Sequence, residues 1–177
     1  MTKSLIIQQR ILVLSFFMIL MSSVTVKAQT ETQQVNRIGG HFGVVQPIVT
    51  LQSGEVNDAF NPYTLGFPIG ITVRKSDRFA FDAEFVPFIS FNAAGENDNV
   101  SLLVHPGFLW KVGDQLTYGT RLAYEIGDAG RYGFTPILNR GFSIGNQPFF
   151  IEFVLPVRFG SDQDVSVTAA LHFGIGF

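Results

Sequence analysis

The chain ends on Val165-Ser166-Val167-Thr168-Ala169-Ala170-Leu171-His172-Phe173-Gly174-Ile175-Gly176-Phe177, a strict alternation. Val165, Val167, Ala169, Leu171, Phe173, Ile175 and Phe177 share one face, and Ser166, Thr168, Ala170, His172, Gly174 and Gly176 share the other. Successive side chains of a strand point to opposite sides, so the stretch predicts a strand with one large apolar side and one small or polar side.

The same division recurs upstream. Leu65, Phe67, Ile69, Ile71 and Val73 oppose Thr64, Gly66, Gly70, Thr72 and Arg74; Phe79, Phe81, Ala83, Phe85 and Ile89 oppose Asp82, Glu84 and Ser90. Val100, Leu102, Val104, Phe108, Trp110 and Val112 oppose Ser101, His105, Gly107 and Lys111. Leu116, Tyr118, Leu122, Tyr124 and Ile126 oppose Thr117, Gly119, Arg121 and Glu125, and Phe149, Ile151, Phe153, Leu155, Val157 and Phe159 oppose Glu152 and Arg158. Two strands are less regular. Between Asn36 and Leu51 the apolar face passes from Ile38, Phe42 and Val44 to Val49 and Leu51, which predicts a bulge near Gln46 and Pro47. Between Arg131 and Ile144 the face is interrupted by Arg140, which belongs near an interface or in an early turn at Asn139 to Gly141, since mid-bilayer arginine costs about 2–4 kcal/mol.

Ahead of these strands, Lys3 and Arg10 precede the apolar run Ile11 to Met21, and small and polar residues follow. Residues 1–28 are expected to be a signal peptide cut after Ala28. The alternative, an uncleaved anchor, has too short a run for the ~20 residues of a spanning helix. No cysteine is present, which excludes a lipoprotein anchor and a disulfide scaffold. Losing Lys3, Arg10 and Lys27 moves the formal charge from −2 to −5 over residues 29–177, expected to form one domain. No clustered basic surface remains for nucleic acid.

Eight such strands in residues 29–177 are more strand than an ordinary globular domain carries, and an antiparallel up-and-down barrel accounts for them. The connections Lys75 to Asp77, Gly113 to Gln115 and Gly145 to Pro148 are tight, whereas Gln52 to Pro62 and Asn92 to Asp98 are longer loops. Short turns at one end and longer loops at the other are the habit of outer-membrane barrels, with the turns periplasmic. With 46% hydrophobic residues, 19 phenylalanines and 15% charged residues, the chain has apolar surface that calls for lipid. A soluble lipocalin-like barrel would turn this face inward, and so many phenylalanines would overfill a narrow cylinder. Trp110, Tyr118, Phe142 and Phe149 gather at the turn end, and Phe91, Tyr124, Tyr132 and Phe159 at the loop end, as two aromatic girdles.

The C-terminal Leu171, Phe173, Ile175 and Phe177 resemble the signal by which bacterial outer-membrane barrels are recognised for insertion. Length and strand count resemble the small OmpX-type and OmpA-type barrels. The resemblance implies an integral outer-membrane location, periplasmic chaperones and the barrel-insertion machinery in biogenesis, and outer-membrane lipids and lipopolysaccharide as surroundings, with a monomer favoured.

The inward face collects Asp82, Glu84, Glu125 and Glu152 against Arg74, Lys111, Arg121 and Arg158, and these are expected to form a structural charge network, since unpaired charge in a narrow interior is costly. A polar conduit lined by the same residues is the functional alternative. His41, His105 and His172 also face inward, but no familiar ligand spacing supports a metal site, and no cofactor is expected. No histidine has a serine two positions away on its own face, so a lipid-modifying enzyme is disfavoured. The outer loops hold Glu55, Asp58, Glu96, Asp98, Asp128, Asp162 and Asp164 against Arg131, an acidic rim that is either simply solvated or a seat for divalent cations. The expectation is a non-enzymatic outer-membrane barrel with a structural or surface-interaction role.

Overall fold

The structure, a computed structural model, describes residues 37–60, 63–91, 99–127, 130–160 and 164–177. The expected signal peptide, the loop at Asn92 to Asp98, and Asp128 and Asp162 lie outside the described residues.

Alternation dictates strands, and strands are what form. They are β1 (Arg37–Gln52), β2 (Glu55–Asp58), β3 (Tyr63–Gly66), β4 (Ile69–Arg74), β5 (Phe79–Phe91), β6 (Asn99–Lys111), β7 (Leu116–Ile126), β8 (Tyr132–Ile144), β9 (Gln147–Val154), β10 (Val157–Phe159) and β11 (Ser166–Gly176). They form a ring of eight staves, each antiparallel to the next, in which β2, β3 and β4 together make the second stave and β9 with β10 the seventh. Pairing of β11 with β1 closes the ring. The last residue takes part: Gly40 N donates to Phe177 O at 2.8 Å and Phe177 N to Gly40 O at 2.9 Å.

Proline explains why two staves are broken. Pro68 and Pro156 have no N–H to give the ladder. Their carbonyls still serve it, Pro68 O accepting from Gly43 N at 2.9 Å and Pro156 O from Thr168 N at 2.9 Å. The bulge expected near Pro47 is present, since the register against β11 shifts between Pro47 and Val49. Gln52 to Pro62 is not one long loop. Ser53 and Gly54 both take positive φ (54° and 82°), the conformation of a two-residue hairpin turn, and β2 folds back on the end of β1. Arg140 stays within β8, opposite Leu116 at the first residue of β7, so it sits at the turn end of the wall rather than in a turn.

Outside and inside are opposite to those of a water-soluble barrel. On β5, Phe85 is 54% exposed and the adjacent Glu84 2%. Phe42, Phe81, Phe108, Leu122, Phe134, Phe153 and Phe173 continue the exposed apolar face around the ring. At the turn end Phe142 stacks on Phe149 (ring centroids 5.9 Å) and Phe79 meets Trp110 (5.7 Å). At the loop end Tyr132 stacks on Phe159 (5.9 Å) and Tyr63 on Phe91 (6.2 Å). Such an exposed apolar belt far exceeds what a monomeric protein shows to water.

Candidate functional site

The interior is built by cross-strand register. Neighbouring inward residues across adjacent staves form rows: Thr72, Asp82, Gly107, Arg121 and Thr135 in one; His41, Gly70, Glu84 and His105 in a second; Asn139, Glu152 and His172 in a third. The glycines are gaps across which long side chains meet. A Cβ on Gly70 would lie 2.2 Å from His41 Cε1, and its absence lets His41 Nε2 pass over β4 and donate to Glu84 Oε1 at 2.8 Å. A Cβ on Gly107 would lie 2.7 Å from Arg121 Cγ, and its absence lets Arg121 Nε cross β6 to donate to Asp82 Oδ2 at 2.7 Å.

Arg121 is the hub of this layer, 2% exposed. Besides Asp82, its Nη2 lies 3.0 Å from Glu84 Oε1 and its Nη1 donates to Glu152 Oε2 at 3.2 Å. Each carboxylate has further donors. Thr72 Oγ1 donates to Asp82 Oδ1 at 2.6 Å, Asn139 Nδ2 to Glu152 Oε1 at 2.9 Å, and His172 Nδ1 to Glu152 Oε2 at 2.8 Å. His105 Nδ1 lies 3.5 Å from Glu84 Oε2. Phe150 closes the histidine side, edge-on to His172 at 4.9 Å and to His41 at 5.8 Å. A charge-assisted cluster of this kind, formed by groups from every part of the ring, ties the staves together across the lumen.

Two residues along each stave toward the loop end, the inward position turns aliphatic: Val86 after Glu84, Leu103 before His105, Ala123 after Arg121, Val154 after Glu152 and Ala170 before His172. With Val45 and Ile137 they make a buried apolar layer against the ionic one. A cavity of about 30 Å³ remains between them, room for only about two water molecules.

Of the eight charged residues expected in one network, the structure brings together Asp82, Glu84, Arg121 and Glu152. It does not bring in the other four. Arg158 turns to neutral acceptors, donating to Thr135 Oγ1 at 3.1 Å and Phe134 O at 3.3 Å, and Glu125 makes no ion pair with it. Arg74 and Lys111 stand exposed at the turn end. The one-to-one matching of acids with bases gives way to three carboxylates on one guanidinium with histidines completing the shell, because a guanidinium offers five donors and a lysine at the mouth is held in water.

The histidines are the residues that strand-by-strand reading undervalued. His105 is not remote from the others, since Glu84 lies directly opposite it and joins it to His41. Among the described residues, the groups placed closely enough to hold a metal ion are His41, Asp82 and Glu84, or Glu84, Glu152 and His172, and the Arg121 guanidinium lies among their oxygens. A hydroxyl also reaches a histidine from another stave: Thr135 Oγ1 and His105 Nε2 share a 2.8 Å hydrogen bond, with Glu84 on the far side of the ring. Thr135 is 1% exposed. At the loop end Glu55, Asp58 and Asp164 are exposed, Ser53 Oγ donates to Asp164, and Arg131 donates to Ser166.

No protein-family profile matches the sequence, and no curated protein matches it either. Solved structures do match. Ail, the attachment invasion locus protein of Yersinia pestis, superposes with a TM-score of 0.50 at 12% identity, covering 80% of this chain and 99% of that one. The outer membrane protein OprG of Pseudomonas aeruginosa matches with a TM-score of 0.38 at 9% identity, over 84% of this chain and 99% of its own. The likeness to Ail is one of fold: an eight-stranded antiparallel barrel of the outer-membrane type.

Proposed function

We propose that this chain is an integral outer-membrane protein with a sealed lumen, monomeric and non-enzymatic, whose role is structural or one of surface interaction. The observation that carries the reading is the pairing of an apolar exterior with a filled interior. Phe85 and Leu122 are 54% and 67% exposed while Arg121, Glu84 and Glu152 are each 2% exposed. Hydrocarbon accepts the first set and only a closed protein interior accepts the second. Two aromatic girdles support a spanning orientation, with the tight turns on the periplasmic side, and lipopolysaccharide and membrane lipids as the surroundings. The C-terminal Leu171, Phe173, Ile175 and Phe177 serve recognition by the insertion machinery, and the leader at 1–28 serves export.

Two measurements test this. A heat-modifiable band in the outer-membrane fraction supports the location, and recovery of the folded protein in the soluble fraction overturns it. In planar bilayers a sealed lumen gives no reproducible open state, whereas stable unitary conductance would establish a conduit instead. A second reading, a lipid-modifying enzyme, draws on the Thr135, His105 and Glu84 alignment. Against it stands the burial of the hydroxyl, which keeps it from the contact with substrate that nucleophilic attack requires. Lipid deacylation that disappears with His105→Ala would establish the enzyme.

A further inference from the structure

Asp82, Glu84 and Glu152 are spent on Arg121 and the histidines, and cations at the turn end stand apart from them. Arg37, Arg74 and Lys111 all lie at inward positions at the turn end, and none of their side chains has an ion-pair or hydrogen-bond partner among the described residues. Arg37 and Arg74 are directly opposite each other on β1 and β4. Like charges in that position repel, so the arrangement is unfavourable by itself. Beside them lies a cavity of about 70 Å³ lined by Arg74, Arg78, Lys111, Asp77 and the side chains of Thr72 and Thr117. Its charged lining is Arg74, Arg78 and Lys111 against Asp77, and Arg74 and Lys111 are the two cations in it without a side-chain partner among the described residues. Its volume leaves room for a group of phosphate size.

We propose that the turn end of the lumen is a binding site for a phosphate group, held between Arg74 and Lys111 with Arg37 at its edge. A free phosphate dianion balances the charge of Arg74 and Lys111 in full and a phosphodiester headgroup half of it, and either spreads its charge over oxygens that reach both cations at once. Guanidinium adds directional donors that suit phosphate oxygens, and lysine adds a point charge. The sealed layer above makes the site a blind pocket, so a phosphate enters and leaves from the turn side alone. This rests on the membrane reading only for the side that the pocket faces, the periplasm. There the phosphate group comes either from a small soluble phosphate or from the headgroup of an anionic phospholipid in the inner leaflet.

The test uses the full barrel refolded in zwitterionic detergent at low ionic strength, with its heat-modifiable shift checked first so that failure to fold is seen separately. Titration with inorganic phosphate is followed by calorimetry, and nanodiscs with or without phosphatidylglycerol are compared for retained lipid. Saturable one-to-one phosphate binding, weakened tenfold or more in R74Q/K111Q and unchanged in R140Q on the outer wall, supports the site. If phosphatidylglycerol is retained and displaced by inorganic phosphate, the lipid headgroup is the source; if phosphate binds and the lipid does not compete, a soluble phosphate is. A folded barrel that binds neither, or one whose R74Q/K111Q variant binds as the parent does, overturns the proposal.

Discussion

Replacing Arg121 by methionine removes one guanidinium from three carboxylates at once while keeping a long apolar stem in its place. In the parent its nitrogens lie 2.7 Å from Asp82, 3.0 Å from Glu84 and 3.2 Å from Glu152. Glu84 and Glu152 retain His41 and His172, but Asp82 is left with Thr72 alone as a close donor. Breaking a buried ion pair by deleting one partner costs about 3–5 kcal/mol. With three carboxylates losing their shared cation and Asp82 keeping only a hydroxyl, the upper end of that range applies, about 5 kcal/mol. Equilibrium urea unfolding in lipid vesicles, read by loss of the heat-modifiable band, shows this as a midpoint lowered by about 2 M. R121M combined with D82N, E84Q and E152Q neutralises the whole layer, and most of the loss is then recovered, because a matched neutral set carries no stranded charge. If R121M stays within about 1 kcal/mol of the parent, the ionic layer does not hold the barrel. If the fourfold variant is as unstable as the single one, packing rather than charge is responsible.

Further outcomes follow from the walls of the barrel. Phe85→Arg places a charge mid-strand on the lipid face and is expected to cost about 2–4 kcal/mol, checked by the same unfolding assay; a neutral result would mean that Phe85 does not meet hydrocarbon. Gly70→Ala puts a methyl 2.2 Å from His41 Cε1 and 2.9 Å from Glu84 Cγ, and is expected to cost about 1–3 kcal/mol by overpacking, whereas Gly54→Ala at the exposed hairpin turn meets nothing and is opposed only by its φ of 82°. Deleting Phe177 removes both backbone bonds to Gly40 and the ring that covers it, so refolding in vesicles should give a barrel whose β1–β11 seam exchanges amide hydrogen fastest. Equal protection at that seam and at β5–β6 would remove the terminal residue from the closure.

Which side of each strand meets lipid was legible in the sequence because strand periodicity is two and a single register error would turn every phenylalanine inward. The pairs flanking tight turns, which the structure supplies, rest on local geometry as well. Thr72 with Asp82, Gly107 with Arg121, and Asn139 with Glu152 each stand across a hairpin whose few turn residues fix the register. The bulge after Pro47 could also be read, since the apolar face there changes parity.

The convergence of the interior was decided only by closure. Glu84 meets His105 across the connection that contains Asn92 to Asp98, Arg121 meets Thr135 across the one at Asp128, and His172 meets Val45 across the seam between the last strand and the first. No tight turn sets any of these registers, so spacing along the chain leaves them open. The reach through Gly70 and Gly107 is likewise a property of three adjacent staves together. Periodicity, a local quantity, assigned each charge to the inside; which charges touch depends on the stagger of the closed ring, which exists only once all eight staves are paired.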